Sequence, residues 1–420
     1  MIAKHAASVF AVIGLVGCGG TVSAGQDGPG NDAGDPDTSI DHDGGVEADA
    51  DDPACTSAAG TWHTMSAVDG PGALMTQAFA WTDSELILLT VPHHTDSGNH
   101  GGRYTLDTDT WRSMDTAPWF DLLLDGLIEG HAHAWSGSAW YVWGVGYEAG
   151  NIPGGIFDPG TGDWSEMSTD GAPSRRKNGT GIWAGDRFMV WGGTGDGGDE
   201  LGNLDTGALY DPITASWTPT STIGAPEPRS RGFGFWTGTK VVIWGGTNRS
   251  VDTEISSGGL YDPNTGAWSP MSDSDAPALD RWAVWTGKEL LVWNDACPHG
   301  ADPSCEPSKQ GYLASYDPVS NQWTPRTLEG APQARRGVMP IWDGTRMIVW
   351  GGKTEEGYVE DGGMYDPVKD TWTTIPPSPC APEPRSEAIA VWAGTSMIVW
   401  GGMNGLDALR TGGVFVPAKN

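Results

Sequence analysis

Short apolar runs of four to six residues recur along the chain, and each is closed by glycines or by polar turn residues. MIVWGG occurs at residues 347–352 and again at 397–402, and variants ending VWGG, IWGG, VWGV or VWND fall at similar spacing upstream. Before the tryptophan that opens each unit, large and small residues alternate: Ile389 and Val391 against Ala388 and Ala390, Phe233 and Phe235 against Gly232 and Gly234. A period of two puts successive side chains on opposite faces of a strand. Gly between two apolar runs, as in WDGTRM and WAGTSM, fits a tight hairpin turn that needs positive φ. Asp-Pro followed by Asn, Gly or Thr, as in LYDPNTGAW and IFDPGTGDW, fits a turn with proline in its second position. The pattern predicts short antiparallel strands throughout, about four to a unit.

The units repeat seven times. The opening tryptophans are Trp81, Trp135, Trp183, Trp236, Trp285, Trp342 and Trp392, spaced 48 to 57 residues apart. A second landmark carries Trp143, Trp191, Trp244, Trp293, Trp350 and Trp400, and a third, at the last strand, carries Trp62, Trp111, Trp164, Trp217, Trp268, Trp323 and Trp372. Trp62 precedes the first unit, in GTWHTM, while the seventh unit ends GGVFVPAKN with no such tryptophan. The N-terminal segment is therefore expected to pair onto the last unit and close a ring, which would otherwise leave a bare sheet edge. A period near 50 with paired glycines and a late tryptophan resembles the kelch repeat. The resemblance covers about residues 60–420. It implies an all-β, seven-bladed kelch-type β-propeller whose last blade is closed by the N-terminal strand.

Outside the repeats the chain reads differently. Lys4 precedes the apolar run 6–17, too short to span a bilayer and suited to an export signal. The ending Leu15-Val16-Gly17-Cys18 resembles a bacterial lipobox, which implies a signal peptide over 1–17 and lipid attachment at Cys18. Residues 19–54 hold nine Asp and one Glu with no Lys or Arg and almost no apolar bulk. Such a segment cannot bury enough surface to offset chain entropy, so 18–54 reads as a disordered acidic tether. Residues 55–420 are the propeller. The resemblance places the protein in the bacterial cell envelope, as an outer-membrane lipoprotein facing the periplasm or the cell surface.

Charge narrows the partners. With 54 acidic against 23 basic side chains the net charge is −31, so nucleic acid is excluded for want of a basic footprint. The four cysteines after Cys18 are Cys55, Cys297, Cys305 and Cys380. An even number in an exported chain suggests two disulfides. Cys297 and Cys305 share one loop and are expected to pair, which leaves Cys55 to Cys380; spacing alone leaves the connectivity open.

Three sets of residues are candidate sites. Pro-x-x-Arg recurs before the first strand with Arg176, Arg229, Arg335 and Arg385. Ringed at a channel mouth, guanidiniums can hold a carboxylate or a sulfated glycan; in kelch repeats an arginine here also serves as a structural residue bonded to loop carbonyls. Trp119, in an insertion between units one and two, can anchor a protein or stack a sugar, or plug a local gap. His131 and His133 fall on one face of the first strand of unit two, with His93 and His94 on the neighbouring unit's loop, a candidate copper or zinc set. The loop 194–207 carries Asp196, Asp199, Glu200 and Asp205, enough oxygen ligands to consider weak calcium binding beside a plain solvated loop.

The expected function is a membrane-tethered binding module outside the cytoplasm, taking a protein or glycan on the variable loops of one face. The alternative is a propeller enzyme with an axial site, metal-dependent and oxidase-like or carbohydrate-active. Copper oxidases built on this repeat use a Tyr bonded to a Cys, and two disulfides would leave no thiol for that link.

Overall fold

The computed structural model describes residues 55–71, 76–90, 101–115, 131–144, 154–197, 200–248, 253–277, 283–294, 311–405 and 407–419. Among them seven sheets have four or five antiparallel strands. We number these sheets as blades in chain order. Their inner strands are Thr76–Trp81, Ala132–Trp135, Thr180–Ala184, Phe233–Trp236, Ala283–Trp285, Ile341–Trp342 and Ile389–Trp392. Blades one to six are each drawn from one continuous stretch of sequence. Blade three is typical: Thr180–Ala184, Arg187–Trp191, Gly207–Asp211 and Ser216–Pro219 pair in chain order.

The inner strands touch in sequence order and the last returns to the first. The blades therefore close into a β-propeller. Crowding near the axis explains the alternation of large and small residues. A Cβ added to Gly234 would lie 2.4 Å from Cδ1 of Ile182, and one added to Gly181 would lie 2.3 Å from the backbone nitrogen of His133. Neighbouring inner strands can approach that closely only where one of them carries no side chain.

Blade seven is assembled from both ends of the chain. Gly60–Thr64 pairs antiparallel with Gly412–Pro417, with Trp62 opposite Phe415 and Thr61 opposite Val416. Thr56–Ser57 folds back on Gly60–Thr64 as a further short strand. Cys55 and Cys380 are joined by a disulfide across 325 residues, and both are buried. Cys18, Cys297, Cys305 and the proposed tether lie outside the described residues.

The cores are sandwiched between blades rather than gathered in one place. Met347–Trp350 and Met397–Trp400, the two MIVW strands, are buried along their whole length because both faces of a blade are covered by its neighbours. Outer-strand tryptophans lie against the second-landmark tryptophans of the preceding blade: Trp111 on Trp400 at 4.5 Å, Trp217 on Trp143 at 4.7 Å and Trp62 on Trp350 at 4.8 Å. Trp140, outside the three landmarks, is fully buried in the second strand of blade two.

The indoles also stitch blades together by hydrogen bonds. Nε1 of Trp111, Trp217, Trp268, Trp323 and Trp372 donates to a carbonyl just past the outer strand of the blade before: Ser66 O, Ser168 O, Ser221 O, Ser272 O and Thr327 O, at 2.7–3.1 Å. Trp164 Nε1 donates to Asp115 O in the same way.

Candidate functional site

The Pro-x-x-Arg turns and the loops after the paired glycines lie together on one face of the ring. Gly351 and Gly352, which end the MIVWGG of blade six, have φ of 74° and 99°. A Cβ on Gly402, the matching glycine of blade seven, would lie 2.5 Å from Ser386 O. Glycine is required here because the chain turns left-handed while pressed against the incoming segment of its own blade.

The arginines hold that turn. Arg229 Nη1 donates to Gly245 O at 3.0 Å and to Ser257 O at 2.7 Å, and its Nε donates to Glu227 O at 3.0 Å. Arg385 repeats this with Gly401 O, Thr411 O and Glu383 O, Arg176 with Gly192 O, Thr206 O and Ser174 O, and Arg335 with Gly351 O, Asp361 O and Gln333 O. All four side chains are buried. Each guanidinium thus joins both limbs of the loop after its glycine pair. An open guanidinium ring at the channel mouth does not fit this placement, because the donors point into the blade and bind backbone. Burial pulls the pKa of Arg229 and of Arg385 down to about 10, which leaves both charged near neutral pH. Asp361 stands where the other blades have Thr206, Ser257 or Thr411, and its Oδ1 accepts from Nη1 of Arg335.

On these clamps rides a tier of small hairpins. Thr194–Gly197 pairs with Glu200–Asn203, Thr247–Asn248 with Thr253–Glu254, Lys353–Thr354 with Gly357–Tyr358 and Met403–Asn404 with Asp407–Ala408. Each is tied to the segment just after its clamp arginine: Ser230 bridges Thr247, Arg336 bridges Lys353, Ser386 bridges Met403, and Arg176–Lys177 pairs with Thr194 and Gly195. Adjacent hairpins touch as well. Asn203 Nδ2 donates to Thr247 O at 2.6 Å, and the Tyr358 hydroxyl reaches Gly405 O at 3.5 Å. Lys353 Nζ sits 5.1 Å from the centre of the Tyr358 ring, and Glu355, Glu356 and Asp407 are exposed at the tips. The face therefore offers side chains of changing chemistry on a backbone held at every hairpin base. No single signal in the sequence marked this hairpin tier; the Gly-Gly pairs marked where it starts.

The histidines sit elsewhere in kind. The inner strand of blade two begins at Ala132, one residue after His131. His131 and His133 are both buried, and the His133 ring lies 5.6 Å from Phe79 of blade one and 6.0 Å from Trp140. Loss of hydration lowers the pKa of His131 to about 4, and burial together with the neighbouring His131 lowers that of His133 to about 3. Both are neutral imidazoles near pH 7. Among the described residues no group of three or more His, Cys, Asp or Glu is gathered to hold a metal. His93, His94, Trp119 and Asp199 lie outside the described residues; Asp205 is partly exposed.

The ring of four-stranded antiparallel blades, indole-stitched and arginine-clamped, defines a β-propeller. Residues 281–416 match the KLHDC2/KLHL20/DRC7 kelch-repeats domain family. The chain is also 25% identical over 216 residues to a Gallus gallus protein named "Rab9 effector protein with kelch motifs", covering 48% of this chain and 55% of that protein. The chain thus spans about half the length of that curated relative. Both comparisons support reading its blades as kelch repeats.

Proposed function

We propose that this protein is a binding module, held outside the cytoplasm by a lipid at Cys18 and an acidic tether, whose hairpin face takes a protein ligand. The observation that carries the reading is the hairpin tier. Its tips differ from blade to blade while its bases are fixed by buried arginines and backbone bridges. Variable loops on a rigid scaffold are where recognition usually resides. Kelch repeats commonly serve protein binding, and the similar Gallus gallus protein is named an effector. The buried Cys55–Cys380 bond supports an oxidising compartment, where disulfides persist.

The test substitutes tips without touching clamps. Full-length protein and a Glu355→Lys/Glu356→Lys/Tyr358→Ala variant are compared by cross-linking in the cell envelope, with melting temperature measured on both. The reading expects a defined protein partner that the variant loses at unchanged melting temperature. An identical set of cross-links for both proteins would remove this face from the function. Retention on an immobilised polysaccharide, lost in the variant, would replace the protein ligand with a glycan.

A further inference from the structure

Six of the seven outer-strand tryptophans donate their indole N–H to the preceding blade. Trp62, the seventh, does not. Its side chain is buried between Trp350 and Phe415, and its Nε1 has no hydrogen-bond partner. In each other blade the accepting carbonyl belongs to the residue four beyond the outer-strand tryptophan of the blade before; the corresponding residue here is Pro376, whose carbonyl Trp62 does not reach.

A second tie is missing at the same place. In blades one, five and six a residue in the left-handed turn before the outer strand reaches back to the preceding blade. Asp109 Oδ1 accepts from Ser66 N, Asn321 Oδ1 from Ser272 N and Asp370 Oδ1 from Thr327 N. Pro376 has no N–H to give. Blade seven has no such turn either, because its two outer strands come from opposite ends of the chain. The boundary between blades six and seven therefore lacks both stitches, and it is there that the disulfide sits, with Cys55 just ahead of the closing strand and Cys380 on the connection from blade six to blade seven.

We propose that the ring is built to open at this seam and that Cys55–Cys380 is its redox latch. In the oxidised chain the latch holds Gly60–Thr64 against Gly412–Pro417. A dithiol reductant converts the disulfide to two thiols and is itself oxidised to a disulfide, passing two electrons and two protons. The closing strand then leaves blade seven before any other strand moves, hinged at Ser66, whose backbone N–H and carbonyl stay bonded to Asp109 and Trp111 of blade one. The edge of Gly412–Pro417 is bared, an unpaired strand edge open to another strand. Both sulfurs are buried, so reduction waits on that local opening and its rate reports it. The proposal is independent of what the hairpin face binds.

Amide hydrogen exchange on the full-length protein, oxidised and after dithiothreitol, tests it. Exchange in 60–64 and 412–417 is expected to rise on the order of a hundredfold on reduction, with 180–191 of blade three unchanged. A Cys55→Ala/Cys380→Ala variant should match the reduced protein. Exchange rising over all blades together, or in none of them, overturns the proposal.

Discussion

Blades two and four share a topology and handle buried nitrogen in opposite ways. Blade four buries a cation. Arg229 stays charged because its donors are matched by Gly245 O, Ser257 O and Glu227 O. Blade two buries two imidazoles beside the axis and keeps them neutral, with His133 against Phe79 where blade four has only Gly234. A buried charge is tolerated when backbone dipoles satisfy it, whereas a group with a titration point near neutrality sheds its proton instead. One blade is thus insensitive to pH over the ordinary range and the other is not.

Acid should separate them most sharply. The folded pKa values of His131 and His133 lie below the unfolded value of 6.5, so the unfolded chain binds more protons. Their contribution to stability is fully present above about pH 6.5 and declines as pH falls toward 4 and 3. Between pH 7 and pH 5 the loss is roughly 2 kcal/mol per histidine. Urea unfolding at both pH values is expected to show it, and a His131→Gln/His133→Gln variant should lose that part of the slope. An equal slope in both proteins would mean the imidazoles are solvated.

Next in size is the clamp. Arg229→Ala removes a side chain that serves two loop carbonyls, leaving Gly245 O and Ser257 O in want of donors, at a cost of about 3 kcal/mol. Chemical denaturation should register this with no change in its pH dependence. Full stability in the variant would show that water replaces the guanidinium.

Glycines give the finer comparison. Gly234→Ala drives a methyl to within 2.4 Å of Ile182 Cδ1 and 2.5 Å of Thr180 Cγ2, so blades three and four must part, at about 2 kcal/mol. Gly238→Ala, in the exposed hairpin turn of the same blade, meets nothing within 4 Å and bears only the strain of φ +94°, about 1 kcal/mol. Melting temperatures that rank the two the other way would show that the inner strands have slack.

Much of this architecture could be read from residues alone. The second-landmark tryptophans lie on strands buried along their whole length, the outer-strand tryptophans tuck one ring against the blade before on otherwise exposed strands, and burial of either kind leaves a periodic trace. The direction of an arginine leaves none. Pro-x-x-Arg looks the same whether the guanidinium faces a ligand or its own blade; the answer depends on the left-handed turn at Gly245 and Gly246 that brings Gly245 O within reach. The hairpin tier was equally hidden, because its strands are two to four residues long and their sequences share no pattern. His131 and His133 were visible as outliers among small residues, but their depth became clear only with Phe79 and Trp140 in place.

The indole stitches also carry a direction in time. Trp164, Trp217, Trp268, Trp323 and Trp372 each reach back to the blade made before their own, so a lengthening chain can dock each new blade onto a finished neighbour, while Trp111 bonds Ser66 beside the closing strand. The closing strand is the exception: it is among the first parts of the ring to be synthesised and the last to find its partner, Gly412–Pro417. Until the final few residues arrive, Trp62 has no place to be buried. A chain cut short just before Gly412 would therefore carry six finished blades and an apolar arm with nothing to close on, an incomplete product with a built-in mark that it is incomplete.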